Sequence, residues 1–378
     1  MKAVITADNH LNKNYNKMRP EQLEKRRQAL RNSFTEAVDY AIENDADLFL
    51  HCGDLFDMSN PVNKEVAFAA SKLSELDNNG VKTFLAVGNH DMSITSEAAD
   101  TSPHSVFESF EGPHIFMNTE QPETVQLEVD GELIDIIGVS YDPLNDGEDP
   151  LQDYEVETGA DRSILLTHYG IEGNVVTESR EASIGLDTIG RLDLDLLCSG
   201  HIHKTSVMNV NGTKTVVPGG TERLDFNEKD YDTGFYVVEF GDEVETEYVE
   251  TSSQPMRVEE LQIEDVESPQ EAIMQKVEEC SDESQMFQLN VEGQLSREEF
   301  RELKLHEIWK EGRDLNFYFD LNDNISLDIE SSIQTDGERL SQEEELKQIA
   351  QKIQEEDEEN VDTIEKASRK VVNDYREN

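Results

Sequence analysis

The sequence has 378 residues, and 36% of them are hydrophobic, which is enough to build a sizeable core. No stretch approaches the ~20 consecutive apolar residues of a membrane helix. The apolar run at the start of the sequence is too short for a signal peptide. We therefore expect a cytoplasmic protein with no membrane segment. The three cysteines, Cys52, Cys198 and Cys280, lie far apart, which argues against a disulfide framework and a paired-cysteine zinc site.

The acidic balance is extreme, with 84 Asp and Glu against 32 Lys and Arg and a formal net charge of -52. The carboxylates are spread along nearly the whole chain rather than gathered in a tail. This distribution favours a protein from a halophile, adapted to concentrated salt, where a charged surface preserves solubility. The screening length is only ~3 Å at 1 M salt, so remote carboxylates would hardly repel a nucleic acid there.

Apolar strand-like runs alternate with amphipathic helical patterns from residue 1 to about residue 250. We predict strands at residues 2–8, 47–54, 81–87, 163–167, 194–198, 235–240 and 244–249. We predict helices at 22–43 and 63–77, and hairpins at 125–139 and 207–217. The hairpins turn at Asp130-Gly131 and at Asn211-Gly212. This alternation predicts an α/β domain with helices outside the sheet layers.

A polar linker, residues 251–255, separates this domain from a smaller one. There the pattern predicts a strand at 287–291, a helix at 297–309 and a strand at 315–321. The stretch from about residue 338 is helical and highly charged. Its apolar stripes are formed by Leu346, Ile349, Ala350 and Ile353, and then by Val361, Ile364, Val371 and Tyr375.

Five short polar motifs directly follow predicted strands. They are Asp8-x-His10, Gly53-Asp54-x-x-Asp57, Gly88-Asn89-His90-Asp91, His168 and Gly200-His201-x-His203. Because sites in α/β sheets form beyond the carboxyl ends of strands, the motifs can converge on one pocket. Imidazole, carboxylate and amide oxygen suit a divalent ion such as Mn²⁺ or Fe²⁺. Two such ions ~3.5 to 4 Å apart would clamp a phosphate and activate a water.

Each motif taken alone is weak, because a histidine at a strand end is more often a hydrogen-bonded structural residue than a ligand. We interpret His51 in that way, since it lies inside its strand, and His104, His114 and His306 as ordinary polar residues. Chance assembly of all five motifs in this order is very improbable, so the combination favours a metal site.

The motifs resemble those of the calcineurin-like metallophosphoesterase superfamily over about residues 1–250. Within it, the chain is similar to the SbcD-type (meiotic-recombination) nuclease subunit of DNA double-strand-break repair. The features that carry this resemblance are His10-Leu11, Gly53-Asp54-Leu55-Phe56-Asp57 with Pro61, and Pro218-Gly219-Gly220-Thr221-Glu222-Arg223-Leu224. It implies a four-layer αββα sandwich with a small α+β cap domain and C-terminal helices. The implied domains are a nuclease domain at 1–250, a DNA-binding cap at 256–330, and a helical tail at 338–378 that binds an ATPase partner.

The resemblance also implies the ligands of two Mn²⁺ ions per subunit, with Fe²⁺ or Mg²⁺ as alternatives. One ion would be held by Asp8, His10, Asp54 and His203. The other would be held by Asp54, Asn89, His168 and His201. His90 would stabilise the transition state or protonate the leaving oxygen, and Asp57 would orient His90. All seven ligand positions are filled, which counts against a non-catalytic copy.

Basic residues cluster just after the first motif. They are Lys13, Lys17, Arg19, Lys25, Arg26, Arg27 and Arg31. They can form a solvated loop and helix face, or they can contact DNA phosphates. The corresponding loop of the family lies near DNA, so we predict DNA contacts at Lys13, Lys17, Arg19, Arg26 and Arg27.

The resemblance implies a 3′–5′ exonuclease on duplex ends and a single-strand endonuclease. It would work as a homodimer with a coiled-coil ABC-type ATPase. Two other functions stay open. A stand-alone phosphodiesterase for small nucleotides would have the same metal site but no need of a cap or a partner-binding tail. A non-catalytic repair scaffold would keep the fold without turnover.

Overall fold

The computed structural model describes residues 1–93, 102–109, 112–156, 159–174 and 181–327. Its helices are α1 Pro20–Glu43, α2 Asn63–Asn78, α3 Leu186–Leu192, α4 Pro269–Cys280, α5 Arg297–Glu302 and α6 Leu305–Leu315. Two 3₁₀ helices are formed by Pro103–Ser109 and Phe226–Glu228. The predicted helical tail at 338–378 lies outside the described residues.

Strands are numbered in chain order. They are β1 Lys2–Thr6, β2 Leu48–Cys52, β3 Lys82–Ala86, β4 His114–Phe116, β5 Glu123–Val129, β6 Glu132–Gly138, β7 Arg162–Thr167, β8 Gly170–Ile171, β9 Ser183–Ile184, β10 Leu196–Ser199, β11 Ser206–Val210, β12 Thr213–Val217, β13 Gly234–Phe240, β14 Val244–Glu250, β15 Met256–Gln262, β16 Met286–Leu295 and β17 Tyr318–Leu327.

Two six-stranded sheets form the centre of the molecule. The first has the order β14-β13-β1-β2-β3-β4, and the second has the order β11-β12-β10-β7-β6-β5. Apolar side chains from both sheets, among them Leu50 and Ile136, form one core between them. Buried side chains of α1 and α2 pack on the outer face of the first sheet, and those of α3 pack on the outer face of the second. This arrangement confirms the predicted αββα sandwich.

Both predicted hairpins form where the turn residues were expected. Val129 pairs with Glu132 across Asp130-Gly131, and Val210 pairs with Thr213 across Asn211-Gly212. All four turn residues have positive φ, between 52° and 108°. Asn, Asp and Gly tolerate this conformation better than other residues, which explains their place in two-residue hairpin loops.

The region after the linker is mixed α and β. The strands β15, β16 and β17 form a three-stranded sheet, in which β15 and β16 run parallel. The single helix predicted at 297–309 is wrong, because the chain breaks it into α5 and α6. Lys304 has non-helical φ and ψ of -98° and 68°, and it precedes the first residue of α6. The pattern also missed β15 and α4.

Most of the described chain forms one compact unit, made of Met1–Gly293 and Glu302–Ile325. Gln294–Arg301 belongs to a second unit, which also includes the described residues 326–327. In that second unit Ser296 and Glu299 form a capping box at the start of α5. The N–H of Ser296 donates to the Glu299 carboxylate at 2.8 Å, and the N–H of Glu299 donates to the Ser296 hydroxyl at 3.3 Å.

Within the described ranges, no helix combines the length and the apolar character that crossing a bilayer requires.

Candidate metal centre

The predicted ligands follow parallel strands of both sheets. In the first sheet β1, β2 and β3 run parallel, and in the second sheet β7 and β10 run parallel. The residues that follow these five strands in turn are Asp8 and His10, Asp54, Asn89, His168, and His201 with His203. Carboxyl ends of parallel strands meet at one edge, and the two sheets bring these side chains together there.

A first group of ligand atoms comes from Asp8, His10 and His203, and these atoms lie within 4.8 Å of one another. The Nε2 atoms of His10 and His203 are 3.1 Å apart. His203 Nε2 is 4.0 Å from Asp8 Oδ1. These are three of the four residues that the resemblance assigns to one ion.

A second group meets at the side-chain oxygen of Asn89. Asn89 Oδ1 lies 3.0 Å from His168 Nε2 and 3.1 Å from His201 Nδ1. These three residues are assigned to the other ion. Asp54 lies between the two groups, because its Oδ2 atom is 3.5 Å from His10 Nε2 and 3.3 Å from His168 Nε2. A carboxylate in this position can bridge two ions.

Three of the histidine rings are oriented by acceptors outside the centre. His10 Nδ1 lies 3.2 Å from Asp57 Oδ1, His203 Nδ1 lies 2.6 Å from Glu228 Oε1, and His168 Nδ1 lies 2.7 Å from the carbonyl oxygen of Cys52. Carboxylates and carbonyl oxygens only accept, so each Nδ1 carries a proton. In the neutral ring the Nε2 lone pair then points inward, as metal-binding histidines require.

The arrangement fits a pair of divalent cations. Asp8 Oδ2 is buried and has no hydrogen-bond partner among the described residues. The inward lone pairs of His10 and His203 would repel each other at 3.1 Å without a proton or a cation between them. Because the donors are nitrogen and oxygen without sulfur, the set matches a borderline or hard divalent ion.

The backbone at four of the predicted ligands is held in an unusual conformation. Asp8, His10, Asp54 and His201 have φ values of 51°, 45°, 55° and 76°, in the left-handed region that side chains other than glycine disfavour. Such strain persists where the surrounding structure determines it, and it concentrates at functional sites. The residue before Asp54 has to be Gly53, because a Cβ at this position would lie 2.4 Å from His168 Nδ1.

The ionisable groups of the centre perturb one another strongly. Burial raises the pKa of Asp54, but the neighbouring His168 and His10 outweigh it and hold that pKa far below its usual range. Burial lowers the pKa of His168, yet the charge and hydrogen bond of Asp54 raise it overall to about 9. Burial also lowers the pKa of His203, but its hydrogen bond to Glu228 and the charges of the nearby carboxylates together raise it to about 9. Such perturbed groups cluster at active sites.

Residues 1–205 match the family described as calcineurin-like phosphoesterase. The chain belongs to this family. The match includes the strand ends of both sheets that carry the predicted ligands, and it confirms the resemblance to this family that the five motifs indicate.

Several curated relatives of this phosphoesterase are similar over a large part of its length. The DNA double-strand break repair protein Mre11 of Methanocaldococcus jannaschii is 28% identical over 313 residues, which are 79% of this chain and 77% of that protein. Mre11 of Haloferax volcanii is 25% identical and covers 57% of this chain and 45% of that protein. The uncharacterised metallophosphoesterase YhaO of Bacillus subtilis is 26% identical and covers 54% of this chain and 48% of that protein.

Solved structures give a weaker similarity. A dimetal phosphatase from Danio rerio is 11% identical, with a TM-score of 0.40, and covers 65% of this chain and 95% of that one.

His90 lies at the mouth of the phosphoesterase centre and is exposed. Its ring packs edge-on against His10, with centroids 4.7 Å apart. The predicted contact with Asp57 is made by the main chain, because His90 Nδ1 lies 3.2 Å from the Asp57 carbonyl oxygen. The Asp57 carboxylate instead accepts from His10 and, at 3.1 Å, from Lys13 Nζ.

The predicted DNA-contact residues differ in their accessibility. The Lys17 side chain is 71% exposed and forms an ion pair of 2.9 Å with Asp320. Arg19 is exposed, and its guanidinium donates to the side-chain oxygen of Gln22 at 3.1 Å. Arg27 donates to the carbonyl oxygens of Lys13 and Asn12.

The prediction for Arg26 requires correction. Its side chain is fully buried and paired with Glu222 at 3.2 Å, and it also donates to Tyr15 and to the Arg223 carbonyl oxygen. A phosphate cannot reach a guanidinium in this position. We therefore leave Arg26 out of the proposed DNA contacts.

Three acidic residues of the phosphoesterase centre were missed from the sequence. Glu228 bonds to His203, and Glu181 Oε2 lies 3.3 Å from His201 Nε2. Asp91 is buried and accepts from the N–H groups of Phe56 and Gly88, and burial next to Asp54 raises its pKa to about 8. His104, interpreted as an ordinary polar residue, is completely buried and lies 3.9 Å from Asp91. Only Asp91, inside the Gly-Asn-His-Asp motif, had a signal that could have found it.

Proposed function

We propose that this phosphoesterase is a dinuclear-metal DNA nuclease of double-strand-break repair, acting as a 3′–5′ exonuclease on duplex ends and an endonuclease on single strands. The observation that carries the proposal is the convergence of all seven predicted ligands around Asp54, with the exposed His90 at the mouth. Relatives named as double-strand break repair proteins, similar over as much as 79% of the chain, support DNA as the substrate.

Asp8, His10, Asp54 and His203 would hold one ion, and Asp54, Asn89, His168 and His201 would hold the other. We propose Mn²⁺, with Fe²⁺ or Mg²⁺ as alternatives. Such a pair, when bound, lowers the pKa of a water to make the nucleophile and neutralises the charge of the phosphate.

His90 would deliver a proton to the leaving oxygen. The Asp57 carbonyl oxygen only accepts, so it fixes the proton of His90 on Nδ1. That leaves Nε2 as the nitrogen that exchanges a proton with the substrate. We assign the Asp57 carboxylate a different task, which is to orient His10 against the metals.

Lys17 and Arg19 are the strongest of the remaining candidates for phosphate contacts, because both are exposed. Lys13 and Arg27 are retained as weaker candidates, since both are only partly exposed and donate to Asp57 and to a main-chain carbonyl oxygen, respectively. Phosphate contacts of this kind set position along the strand without reading its sequence.

The remaining parts of the proposal concern assembly. We propose a homodimer from a halophile, a DNA-binding cap at 256–330, and a coiled-coil ABC-type ATPase partner that docks on the tail at 338–378. Cutting the chain after Ser331 should leave a folded nuclease that no longer co-elutes with the ATPase. Unfolding of the fragment, or undiminished binding, would contradict the assignment of the tail.

The deciding experiment compares Mn²⁺-dependent digestion of duplex DNA with hydrolysis of a small chromogenic phosphodiester. A DNA nuclease should degrade the duplex efficiently and the small ester poorly. Efficient turnover of the small ester alone would favour a stand-alone phosphodiesterase, and no turnover of either with two ions bound would favour a scaffold.

A further inference from the structure

A narrow cleft lies between the segment that leads into α1 and the pair formed by α6 and β17. Its volume is about 170 Å³. The described side chains that matter there are Lys17, Arg19, Trp309, Arg313, Tyr318 and Asp320. None of Trp309, Arg313 and Tyr318 has a part in the metal centre.

The cleft is locally basic in a chain with a net charge of -52. Its described lining carries three cations, Lys17, Arg19 and Arg313, against the single carboxylate of Asp320. That carboxylate is already engaged, because it accepts from Lys17 at 2.9 Å and from Gln288 at 3.4 Å. Arg19 and Arg313 therefore give the cleft a local excess of positive charge in a chain with 84 acidic residues.

Aromatic rings stand beside these cations. Trp309 is the only tryptophan of the chain, and the guanidinium of Arg313 lies 4.2 Å from the centroid of its ring. Tyr318 and Trp309 are both only partly buried. A flat ring next to arginine is the combination that holds single-stranded nucleic acids, because every base has a face that can stack and every nucleotide carries a phosphate.

The cleft is also connected to the metal centre. Tyr318 stacks on Phe226, with ring centroids 6.3 Å apart and planes 27° from parallel. Phe226 begins the 3₁₀ helix that ends at Glu228, whose carboxylate bonds to His203. A group held against Tyr318 is thus one turn of helix away from a side chain that orients a predicted ligand.

We propose that this cleft binds one unpaired nucleotide of a DNA strand. Because the His306 ring also stacks on Trp309, with centroids 6.1 Å apart, the base would replace the Arg313 guanidinium on the Trp309 ring, and Arg313 would turn to hold the phosphate together with Arg19. Pockets that enclose a whole drug-sized molecule have volumes of ~300 Å³ or more, so the smaller volume here suits a single base with the sugar and phosphate outside. The identity of the ligand as DNA rests on the proposed function, whereas the cleft itself does not.

Intrinsic fluorescence tests the proposal directly, because Trp309 is the only tryptophan and therefore the dominant emitter. The full chain with its metals bound is titrated with a nuclease-resistant phosphorothioate oligothymidylate at fixed salt. We expect saturable quenching, and we expect Arg313→Gln and Arg19→Gln to weaken binding by about tenfold. Lys310→Gln is the matched control, since Lys310 is an exposed cation on α6 that does not line the cleft.

A second measurement separates base stacking from simple attraction of phosphate. Binding of a labelled oligonucleotide is compared with binding of an abasic oligonucleotide of the same length. The unmodified protein and Trp309→Phe should prefer the intact strand, and Trp309→Ala should lose that preference. Circular dichroism checks whether Trp309→Ala is folded. If it is not, the two arginine variants and the comparison of intact with abasic strands test the proposal without it.

Equal binding of intact and abasic strands by the unmodified protein would overturn the proposal, as would equal effects of Arg313→Gln and Lys310→Gln. The two proposals fail separately. Quenching without nuclease activity would contradict the proposed function alone, and nuclease activity without quenching would contradict the cleft alone.

Discussion

The metal centre and the basic cluster both begin within the first 31 residues, but folding brings the residues of the first together and separates those of the second. At the metal centre, side chains from five strand ends face one another across a few ångströms. In the basic cluster, neighbouring cations separate, because Arg26 and Arg31 are buried in ion pairs whereas Lys17 and Arg19 stay exposed. Strand topology fixes where a ligand at a strand end must lie. Whether a charged side chain on a helix is buried or exposed depends instead on ion-pair partners that are distant in sequence.

Arg26 shows what decides the second case. Its partner Glu222 lies 196 residues later, and the same carboxylate accepts the main-chain N–H of Gln254 in the linker. Arg31 pairs with Glu65 of α2 in a similar way. A helical charge pattern carries no sign of either partner.

The largest expected effect is at the metal centre itself. His90→Ala should abolish DNA cleavage while two metal equivalents still bind, because His90 is proposed to move a proton and not to hold an ion. His168→Ala should lose metal as well as activity, since its Nε2 lies against Asp54 and Asn89. Calorimetry of metal binding beside a nuclease assay checks both, and a reversed pattern of metal loss would refute the assignment of roles.

The second effect contrasts a buried cation with an exposed one. Arg26→Ala should lower the free energy of unfolding by about 3–5 kcal/mol, because it leaves the carboxylate of Glu222 buried without its charge partner. Arg19→Ala, the matched control seven residues earlier, should change it by about 0.5 kcal/mol or less. Urea unfolding in molar KCl measures both. Similar small losses for the two variants would show that Arg26 is not buried as a pair.

The sequence predicted most of the sandwich and the strand ends at which the candidate ligands lie, for reasons that two of these residues make clear. Asp54 and Asn89 directly follow apolar strands, so recognising the strand was enough to place them. Glu228 could not be found, because it is one of 84 acidic residues and bonds to a histidine 25 positions earlier.

The misses after the linker have local causes. In α4 the buried residues Ile273, Val277 and Cys280 do have helical spacing, but acidic residues surround them and the apolar stripe is narrow. The helix breaks before α6 because Lys304 has a non-helical conformation. No proline or glycine lies there to indicate the break in the sequence.

A third effect tests the outer support of the centre. Glu228→Gln should weaken metal binding by about 10–100-fold, because the amide is a weaker acceptor for His203 Nδ1 and its own donor group can face that ring. Glu247→Gln, an exposed position on β14, should leave metal affinity unchanged. Competition with a fluorescent chelator measures both affinities. If Glu228→Gln leaves the metal affinity unchanged, the 2.6 Å contact between Glu228 Oε1 and His203 Nδ1 does not support metal binding.

The smallest expected effect per residue is that of the acidic surface on stability, and it is measured by varying the salt concentration. The net charge of -52 destabilises the folded chain by self-repulsion, and added salt screens this repulsion within ~3 Å at 1 M. Urea midpoints should therefore climb from low to molar KCl. Buried pairs are screened much less than surface charges. Arg26→Ala should therefore lower the midpoint at every concentration and leave its climb with salt parallel to that of the unmodified protein. A flat or falling series would contradict adaptation to salt. A climb that disappears in Arg26→Ala would show instead that the buried pair, and not the surface, responds to salt.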